Sequence, residues 1–470
     1  MKHKSTKMIT SNIPFWALIT FLIITFMLGG SARGDVESLI LLRPVAVFFL
    51  CVGLWNLKWA HIRAYQFLFA MAAAIILLVV LHLIPLPPAL WRSLAGHQIV
   101  MQVDQAAQLG AVWRPLTLVP LGTWNALFSL TVPLTALILA VQIGREQRFQ
   151  LLLVLLTIIA ASGLIGFLQI LGASDGPLYL YNITNNGAAV GLFANRNHQA
   201  ALLVCLFPML AVFASTGMKS IEQARVRGWA AVASGLVLVP LLLITGSRAG
   251  LLIGIVGLAS AALLYKQPQF TAPAKRVVKR FDPRMIYGAF AVSFIALLSL
   301  LAARAEAIQR LLETDELNGG RLPMWAVGWQ MLIKYFPTGS GFGSIVEAFD
   351  IDEPQAMLGP AYTNHLHNDW LEVVVSGGLP VIILICLAIV VWAKISLPLW
   401  LHRNDRSRDK MFARLGSVIV LMLALASIPD YPLRVPSLSC VFVLAAVWLS
   451  NPSDKVSNKS VGVAFRDGNP

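Results

Sequence analysis

The sequence has little charge and few cysteines. Only 12% of its 470 residues are charged, whereas soluble globular proteins carry about 25%. Hydrophobic residues make up 57% of the chain, so most of its surface must face lipid rather than water. These proportions exclude a soluble enzyme. All four cysteines lie inside apolar runs, without the spacing of disulfide or zinc sites: Cys51, Cys205, Cys386 and Cys440.

The net charge of +14 does not indicate a nucleic-acid partner. The basic residues form no stripe with interleaved aromatic residues, because they lie between the apolar runs. Charge in that position is typical of the signals that orient membrane helices. We therefore expect a lipid bilayer around the chain and no nucleic acid.

Apolar runs of about 20 residues, the length that crosses the hydrocarbon of a bilayer, recur along the chain. The first run follows Lys2, Lys4 and Lys7 as in a signal peptide, but no typical cleavage site follows it, and we interpret it as a retained helix. The sequence therefore predicts an all-α polytopic membrane protein of about twelve transmembrane helices. The runs lie near residues 13–29, 38–57, 64–86, 124–143, 149–171, 198–217, 229–245, 249–265, 285–303, 371–393, 412–429 and 435–450.

Lysine and arginine indicate how these helices are oriented. With a cytoplasmic N-terminus, 25 of the 36 basic residues fall on the inner side, and 15 of the 22 acidic residues fall on the outer side. Shifting the register by one helix would reverse this asymmetry, against the preference of positive charge for the cytoplasm. We therefore predict an even number of spans, with both termini in the cytoplasm.

Two predicted outer loops are long, which in a compact protein usually indicates a function. The second contains nine acids against four bases. Its residues 324–335 have Trp325, Trp329 and Leu332 on one helical face, which predicts a helix at the membrane surface. Residues 337–343 are dense in glycine, which would let the backbone approach a ligand closely. The predicted divisions are helices one to nine in 1–303 with the first loop at 87–123, the large loop in 304–369, helices ten to twelve in 370–450, and a cytoplasmic tail in 451–470.

Basic residues are scarce on the predicted outer side, so each one is informative. Arg248 lies in a tight turn between two spans, at the start of the following helix. Unpaired N–H groups and the helix dipole favour anions there, and a guanidinium adds two donors for a phosphate. Alternatively, Arg248 is an arginine that snorkels to the interface.

Two further arginines have similar alternatives. Arg321 precedes the aromatic stretch, and it could either bind a ligand or pair with nearby acids on the surface. Arg196 lies beside Asn195, Asn197 and His198 just before the sixth span. This group indicates a polar pocket, although an ordinary helix-capping cluster would look the same.

The densest polar group, residues 363–370, immediately precedes the tenth span. It contains His365, His367 and Asn368. Histidine is the natural general base near neutral pH. The histidines could instead anchor the membrane interface. We expect no metal, because neither a cysteine nor an acid at ligand spacing accompanies them.

The predicted spans have almost no ionisable residues near their centres. Arg43, His82 and Glu372 all lie toward the ends of spans. An ion-coupled transporter normally needs buried acids or histidines along its path, and no internal repeat is visible. The pattern favours an enzyme over a transporter or flippase, and a non-catalytic scaffold would leave the histidine cluster unexplained.

Six motifs follow one another in order: Trp113-Arg114-Pro115-Leu116-Thr117, Gly191-Leu192-Phe193-Ala194-Asn195-Arg196-Asn197-His198, Gly246-Ser247-Arg248-Ala249-Gly250, Arg321 with Trp325, Pro337-Thr338-Gly339-Ser340-Gly341-Phe342-Gly343, and His365-Leu366-His367-Asn368-Asp369-Trp370-Leu371-Glu372 running to Gly377-Gly378-Leu379-Pro380. In this order they resemble the O-antigen ligase and O-antigen polymerase superfamily. These bacterial enzymes transfer lipid-linked glycans at the outer face of the inner membrane. The resemblance covers roughly residues 110–450.

The resemblance implies a GT-C-like architecture with its large periplasmic loop between helices nine and ten. It implies an inverting, metal-independent glycosyltransferase without a cofactor, located in the bacterial inner membrane with its active site facing the periplasm. The donor would be a glycan linked to undecaprenyl diphosphate. The acceptor would be lipid A–core for a ligase, a repeat unit for a polymerase, or Ser or Thr for a protein O-oligosaccharyltransferase. We favour ligase or polymerase.

The resemblance also implies roles for single residues. His367 would be the catalytic base, with His365 as the alternative if the motif is shifted. Arg248 and Arg321 would bind the diphosphate, and Arg196 would do so on weaker grounds, because the family often has a different residue there. The expected supporting residues are His365, Asn368 and Asn197. Since a diphosphate should avoid an acidic loop, we expect most acids of the large loop to face solvent while its arginines turn toward the lipid.

Overall fold

The computed structural model describes residues 12–218, 220–267, 321–359 and 362–450. In its first half the helices are α1 (Ile13–Leu28), α2 (Ser38–Asn56), α3 (Trp59–Ala64), α4 (Gln66–Leu83), α5 (Pro88–Arg92), α6 (Gln98–Ala106), α7 (Pro120–Ser129), α8 (Thr131–Ala140) and α9 (Arg145–Leu171). The second half contains α10 (Arg196–Val204), α11 (Leu206–Ser215), α12 (Ile221–Ile244), α13 (Arg248–Leu264), α14 (Leu322–Tyr335), α15 (Ile345–Asp352), α16 (Asp369–Leu401), α17 (Arg408–Ala426) and α18 (Pro436–Leu449). Two-residue strands, β1 (Pro85–Leu86) and β2 (Arg114–Pro115), pair antiparallel.

Within the described residues, seven helices or consecutive helix pairs are long and apolar enough to cross a membrane. They are Ser38–Asn56, Gln66–Leu83, Pro120–Ala140, Arg145–Leu171, Arg196–Ser215, Ile221–Leu243 and Asp369–Leu401. The apolar helices α1, α13 and α18 are shorter. The predicted run at 285–303 lies outside the described residues. The mostly helical, multi-span character is therefore confirmed, and the total of twelve spans stays a prediction.

The α10–α11 pair is the central element of the bundle. Its apolar segment is 89% buried, whereas the segments of α2 and α4 are only 17% buried and present most of their surface outward. The main hydrophobic core surrounds the central pair with residues of α1, α8, α9, α17 and α18. A polar group at the start of α10 therefore lies at the end of the most enclosed helix pair among these segments.

Loop contacts divide the loops into two groups at opposite ends of the helices. At one end, Gly30 N donates to Tyr181 Oη at 2.7 Å, which joins the loop after α1 to the loop after α9. At the other end, Nε of Arg145 at the start of α9 lies 2.9 Å from Oδ2 of Asp409 at the start of α17. These segments are among those predicted as outer and inner loops, respectively, and the placement of the loops in general stays a prediction. Which end faces the cytoplasm stays a prediction.

The motif at residues 113–117 joins the two long loops. Arg114 lies in β2 and pairs with Asp104 within the first loop. Leu118 N, just after the motif, donates to Ser340 O of the second loop at 3.0 Å. Thr123 Oγ1 donates to Phe342 O at 2.7 Å. The described parts of the two loops therefore contact each other directly.

The glycine-dense stretch 337–343 lies against a break in α16. Gly378, with φ of 59°, interrupts that helix. Ser340 N donates to Val375 O at 3.0 Å, and Leu379 N donates to Pro337 O at 2.8 Å. The close backbone approach that the glycines predict is thus made to this helix. A residue with a Cβ would have no room at Gly339, because that atom would overlap the backbone of Ser376.

We expect Gly339→Ala to destabilise the protein by about 2 kcal/mol or more, since a left-handed backbone alone costs about 1–2 kcal/mol for a non-glycine residue. Gly339 has φ of 83°, and the clash with Ser376 adds to that cost. Thermal unfolding of the purified protein in detergent micelles measures the effect. Gly235→Ala is the matched control, because a Cβ there meets nothing within 4 Å. Equal unfolding temperatures for the two variants would contradict this explanation.

Candidate active site

A buried carboxylate in the segment 427–435, between α17 and α18, lies among the residues singled out from the sequence. Asp430 is only 2% exposed. Asn197 Nδ2 donates to its Oδ2 at 2.5 Å, and Arg321 Nη2 lies 4.0 Å from the same oxygen. Nδ1 of His367 and Nε2 of His198 lie 3.4 and 3.6 Å from Oδ1. The fold therefore brings His367, Arg321 and Asn197 together around one acid.

Two helix caps, Asn195 and Asn368, fix the chain next to His198 and His367. Asn195 caps α10, and its Oδ1 accepts a hydrogen bond from Asn197 N at 2.8 Å. This start directs the first turn of the central helix, including His198, into the bundle. Asn368 caps α16 in the same way, with Oδ1 accepting from Leu371 N at 3.1 Å. Such caps satisfy backbone N–H groups that have no partner within the helix.

His367 has an unusual backbone conformation. Among the described residues other than glycine, only His367 and Gln108 have φ in the left-handed region, at 48° and 53°. A non-glycine residue held there costs about 1–3 kcal/mol and persists only where its surroundings impose it. The conformation turns Nδ1 of His367 toward Asp430, while 31% of its side chain stays exposed. Nε2 is thus the ring nitrogen that can meet a ligand.

His365 is held differently from His367. Its Nδ1 lies 2.9 Å from Oε1 of Glu372, and only 11% of its side chain is exposed. The ring of Tyr431 packs against both histidines, with its centroid 4.2 Å from that of His365 and 4.9 Å from that of His367. The exposed ring of His367 is therefore better placed to meet a substrate than the enclosed ring of His365.

The turn before α13 adjoins this centre. Ser247 caps the helix, with Oγ accepting from Gly250 N at 3.0 Å, so Arg248 is its first residue. A Cβ built on Gly246 would lie 3.8 Å from Nη1 of Arg196, which places that guanidinium beside the turn. One small cavity connects the start of α13 to the carboxylate, and its lining includes Asn197, His198, Ala249, Gly250 and Asp430.

The electrostatics of the centre favour an ionised Asp430. Burial raises the pKa of this carboxyl, but hydrogen bonding and positive charge from His198 and His367 outweigh burial. The pKa therefore lies well below its usual range. Burial and the neighbouring Asp430 raise the pKa of the Tyr431 hydroxyl, so Tyr431 is neutral beside this negative charge. Because a carboxylate only accepts hydrogen bonds, the neutral form of His367 would carry its proton on Nδ1, facing Asp430, and keep Nε2 as the acceptor.

The acids of the second loop are arranged partly as expected. Glu347 and Asp350 are exposed to solvent. Asp369 is an exception, since it is buried and its Oδ1 accepts from Arg434 Nε at 2.8 Å. Four of the loop's other acids, between 306 and 316, lie outside the described residues.

The sequence reasoning missed the residues of the segment 427–435. Asp430, Tyr431 and Arg434 fall in a short predicted turn between the last two apolar runs, and nothing there resembled a motif. The available signal was modest: an acid, an aromatic residue and a base among three prolines, at the predicted outer end of two spans. Scarcity of charge in a membrane protein makes such a group informative.

Comparison with known proteins adds one match. Residues 230–386 match a family model described as O-antigen ligase. The matched third of the chain includes Arg248, Arg321, His365 and His367 and ends before Asp430. No curated protein matches the chain.

Proposed function

From the match of residues 230–386, which supports membership of the O-antigen ligase and O-antigen polymerase superfamily, we propose that this chain is an inverting, metal-independent glycosyltransferase. Its donor is a glycan on an undecaprenyl-diphosphate carrier, and its acceptor is a hydroxyl at the periplasmic face of the bacterial inner membrane. One observation carries the mechanism: His367 Nδ1 lies 3.4 Å from Asp430, with Arg321 Nη2 4.0 Å from the same carboxylate.

In the proposed step, Nε2 of His367 takes the proton of the acceptor hydroxyl. The acceptor oxygen bonds to the anomeric carbon of the donor sugar from the face opposite the diphosphate. The bond between that carbon and the diphosphate oxygen breaks, and its electron pair leaves with the diphosphate. The anomeric configuration is inverted. Asp430 keeps the ring of His367 in orientation and stabilises the imidazolium that forms.

The departing diphosphate needs positive charge placed in advance. Arg321 and Arg248 supply it in this proposal, and Arg196 lies beside the turn that holds Arg248. Fixed donors aimed at developing negative charge lower the barrier because they need no rearrangement during the reaction. Guanidinium groups also match phosphate oxygens in pairs, which a lysine cannot do.

Reconstituted protein tests the proposal. We expect the purified chain in liposomes to transfer a glycan from a polyprenyl-diphosphate donor to an added acceptor, at the same rate with and without EDTA. Product can be followed on gels and its anomeric configuration by NMR. Retained configuration would contradict the single displacement, and loss of transfer in EDTA would contradict the metal-free version.

Deletion of the gene distinguishes the possible acceptors in cells. Free lipid A–core with accumulated lipid-linked polymer would indicate a ligase, and lipid A–core capped by single repeats would indicate a polymerase. Loss of glycan from proteins alone would indicate a protein O-oligosaccharyltransferase. Unchanged surface glycans with altered solute uptake would overturn the enzyme in favour of a transporter.

A further inference from the structure

A second buried ionic cluster lies beside the His367–Asp430 pair. Glu372, 1% exposed, is at its centre. Its Oε1 lies 2.9 Å from Nδ1 of His365 and 3.2 Å from Nη1 of Arg434. Arg434 Nε also donates to Oδ1 of Asp369 at 2.8 Å. We call these four residues, His365, Asp369, Glu372 and Arg434, the clamp.

The clamp joins the two segments that carry the proposed base and its carboxylate. His365, Asp369 and Glu372 belong to the chain around His367 at the start of α16, whereas Arg434 belongs to the segment 427–435. Hydrogen bonds from backbone N–H groups join the same two segments. Asp369 N donates to Ser427 O at 2.9 Å and Leu433 N donates to Oδ2 of Asp369 at 3.3 Å. Contacts on the clamp side therefore contribute to the separation of His367 from Asp430.

The clamp and Trp325 together hold Leu366, the residue that precedes His367. Oε2 of Glu372 accepts from Leu366 N at 2.9 Å. On the other side of that residue, Leu366 O accepts from Trp325 Nε1 at 2.9 Å. Leu366 itself is fully buried. A residue held at both its N–H and its carbonyl can keep the next residue in a strained conformation, which is consistent with the φ of 48° at His367.

We propose that the clamp consists of positioning residues that hold His367 against Asp430, so that it controls the rate of transfer without binding the donor. This inference rests on the proposed function. Misplacement of a reacting group by about 1 Å can cost about 10²-fold in rate. Glu372 contacts His365, Arg434 and the backbone N–H of Leu366, and its replacement is the sharpest test.

Glu372→Gln keeps the size of the side chain and removes its charge. We expect kcat for glycan transfer in liposomes to fall roughly 10- to 100-fold, while the KM for the donor stays within about 2-fold because no clamp residue is proposed to bind the diphosphate. The same substitution in a His367→Ala background should cause no further loss. Residues that act through one another show this non-additivity, whereas independent contributions multiply. Long incubations with a radiolabelled donor make the low rates measurable.

Asp352→Asn is the matched control. It breaks the ion pair that Asp352 Oδ1 forms with Lys334 Nζ at 2.6 Å between α14 and α15, away from His367. We expect it to leave kcat unchanged. Unfolding temperatures in detergent compare the folding of all variants. His365→Asn, which retains a donor near the position of Nδ1, should keep more activity than His365→Ala.

The outcomes separate this inference from the proposed function. Equal losses from Glu372→Gln in both backgrounds would overturn the clamp, as would an unchanged kcat or a rise in donor KM without a fall in kcat. A loss that matches a fall in unfolding temperature, shared by Asp352→Asn, would also overturn it. A His367→Ala protein with near-native transfer would instead refute the proposed function, and the inference would fall with it.

Discussion

Replacing His367 with alanine is expected to lower the rate of glycan transfer by about 10²- to 10⁴-fold, the usual contribution of a general base. Among the described residues, neither neighbouring histidine can substitute for it, because His365 is held by Glu372 and His198 is buried. The acceptor hydroxyl would then have to lose its proton to water. Initial rates in liposomes at saturating donor measure the effect.

Asp430→Asn is the informative companion to that variant. An asparagine cannot hold the negative charge that stabilises the imidazolium, so we expect a large fall in kcat here too. Its donor KM should be unchanged if Asp430 acts through His367. Near-native transfer by His367→Ala would eliminate its role as the base. Native transfer by Asp430→Asn would contradict the proposed role of Asp430 without contradicting the role of His367 as the base.

Replacing Arg321 with alanine is the second large effect that we expect. One donor fixed against developing negative charge is worth about 10²- to 10³-fold in rate. Arg321 is held near Asp430, with 24% of its side chain exposed, so its guanidinium can reach both the centre and an incoming ligand. We expect kcat to fall by that factor, with a smaller rise in donor KM, because the charge on the diphosphate grows as the sugar leaves.

Lysine at position 321 refines this prediction. Arg321→Lys keeps the charge but loses the paired donors, so its rate should lie between those of the native protein and of Arg321→Ala. Arg92→Ala is the matched control, because Arg92 is an exposed arginine of the first long loop whose Nη2 donates to Gly110 O. Equal losses from Arg92→Ala and Arg321→Ala would indicate a general effect of surface charge and would contradict a specific site.

The composition and the apolar runs predicted the helices well. A backbone in hydrocarbon must satisfy its own hydrogen bonds, so an apolar run of about 20 residues becomes a helix whatever its neighbours are. The helix predicted at 324–335 is also present, as α14, with Val327, Met331 and Tyr335 buried on one face. These features depend on local sequence, which is why they could be predicted from it.

Other features depend on which helices pack together. The glycines of 337–343 predict a close approach of the backbone to another group. Only the fold shows that this group is α16. Arg114 belongs to a motif that suggested the site, yet its partner is Asp104 within the first loop. In both cases the partner is remote or irregular in sequence, so no periodicity or spacing identifies it.

By itself, the sequence determined a helical membrane protein with His367 and Arg321 as candidates for chemistry. Only the tertiary structure decided that Asp430, 63 positions after His367, faces it at 3.4 Å and that Arg434 bridges Asp369 and Glu372. The physical reason is that charge is costly at the edge of a bilayer, so buried charges must meet partners. Helix packing brings those partners together across long stretches of chain.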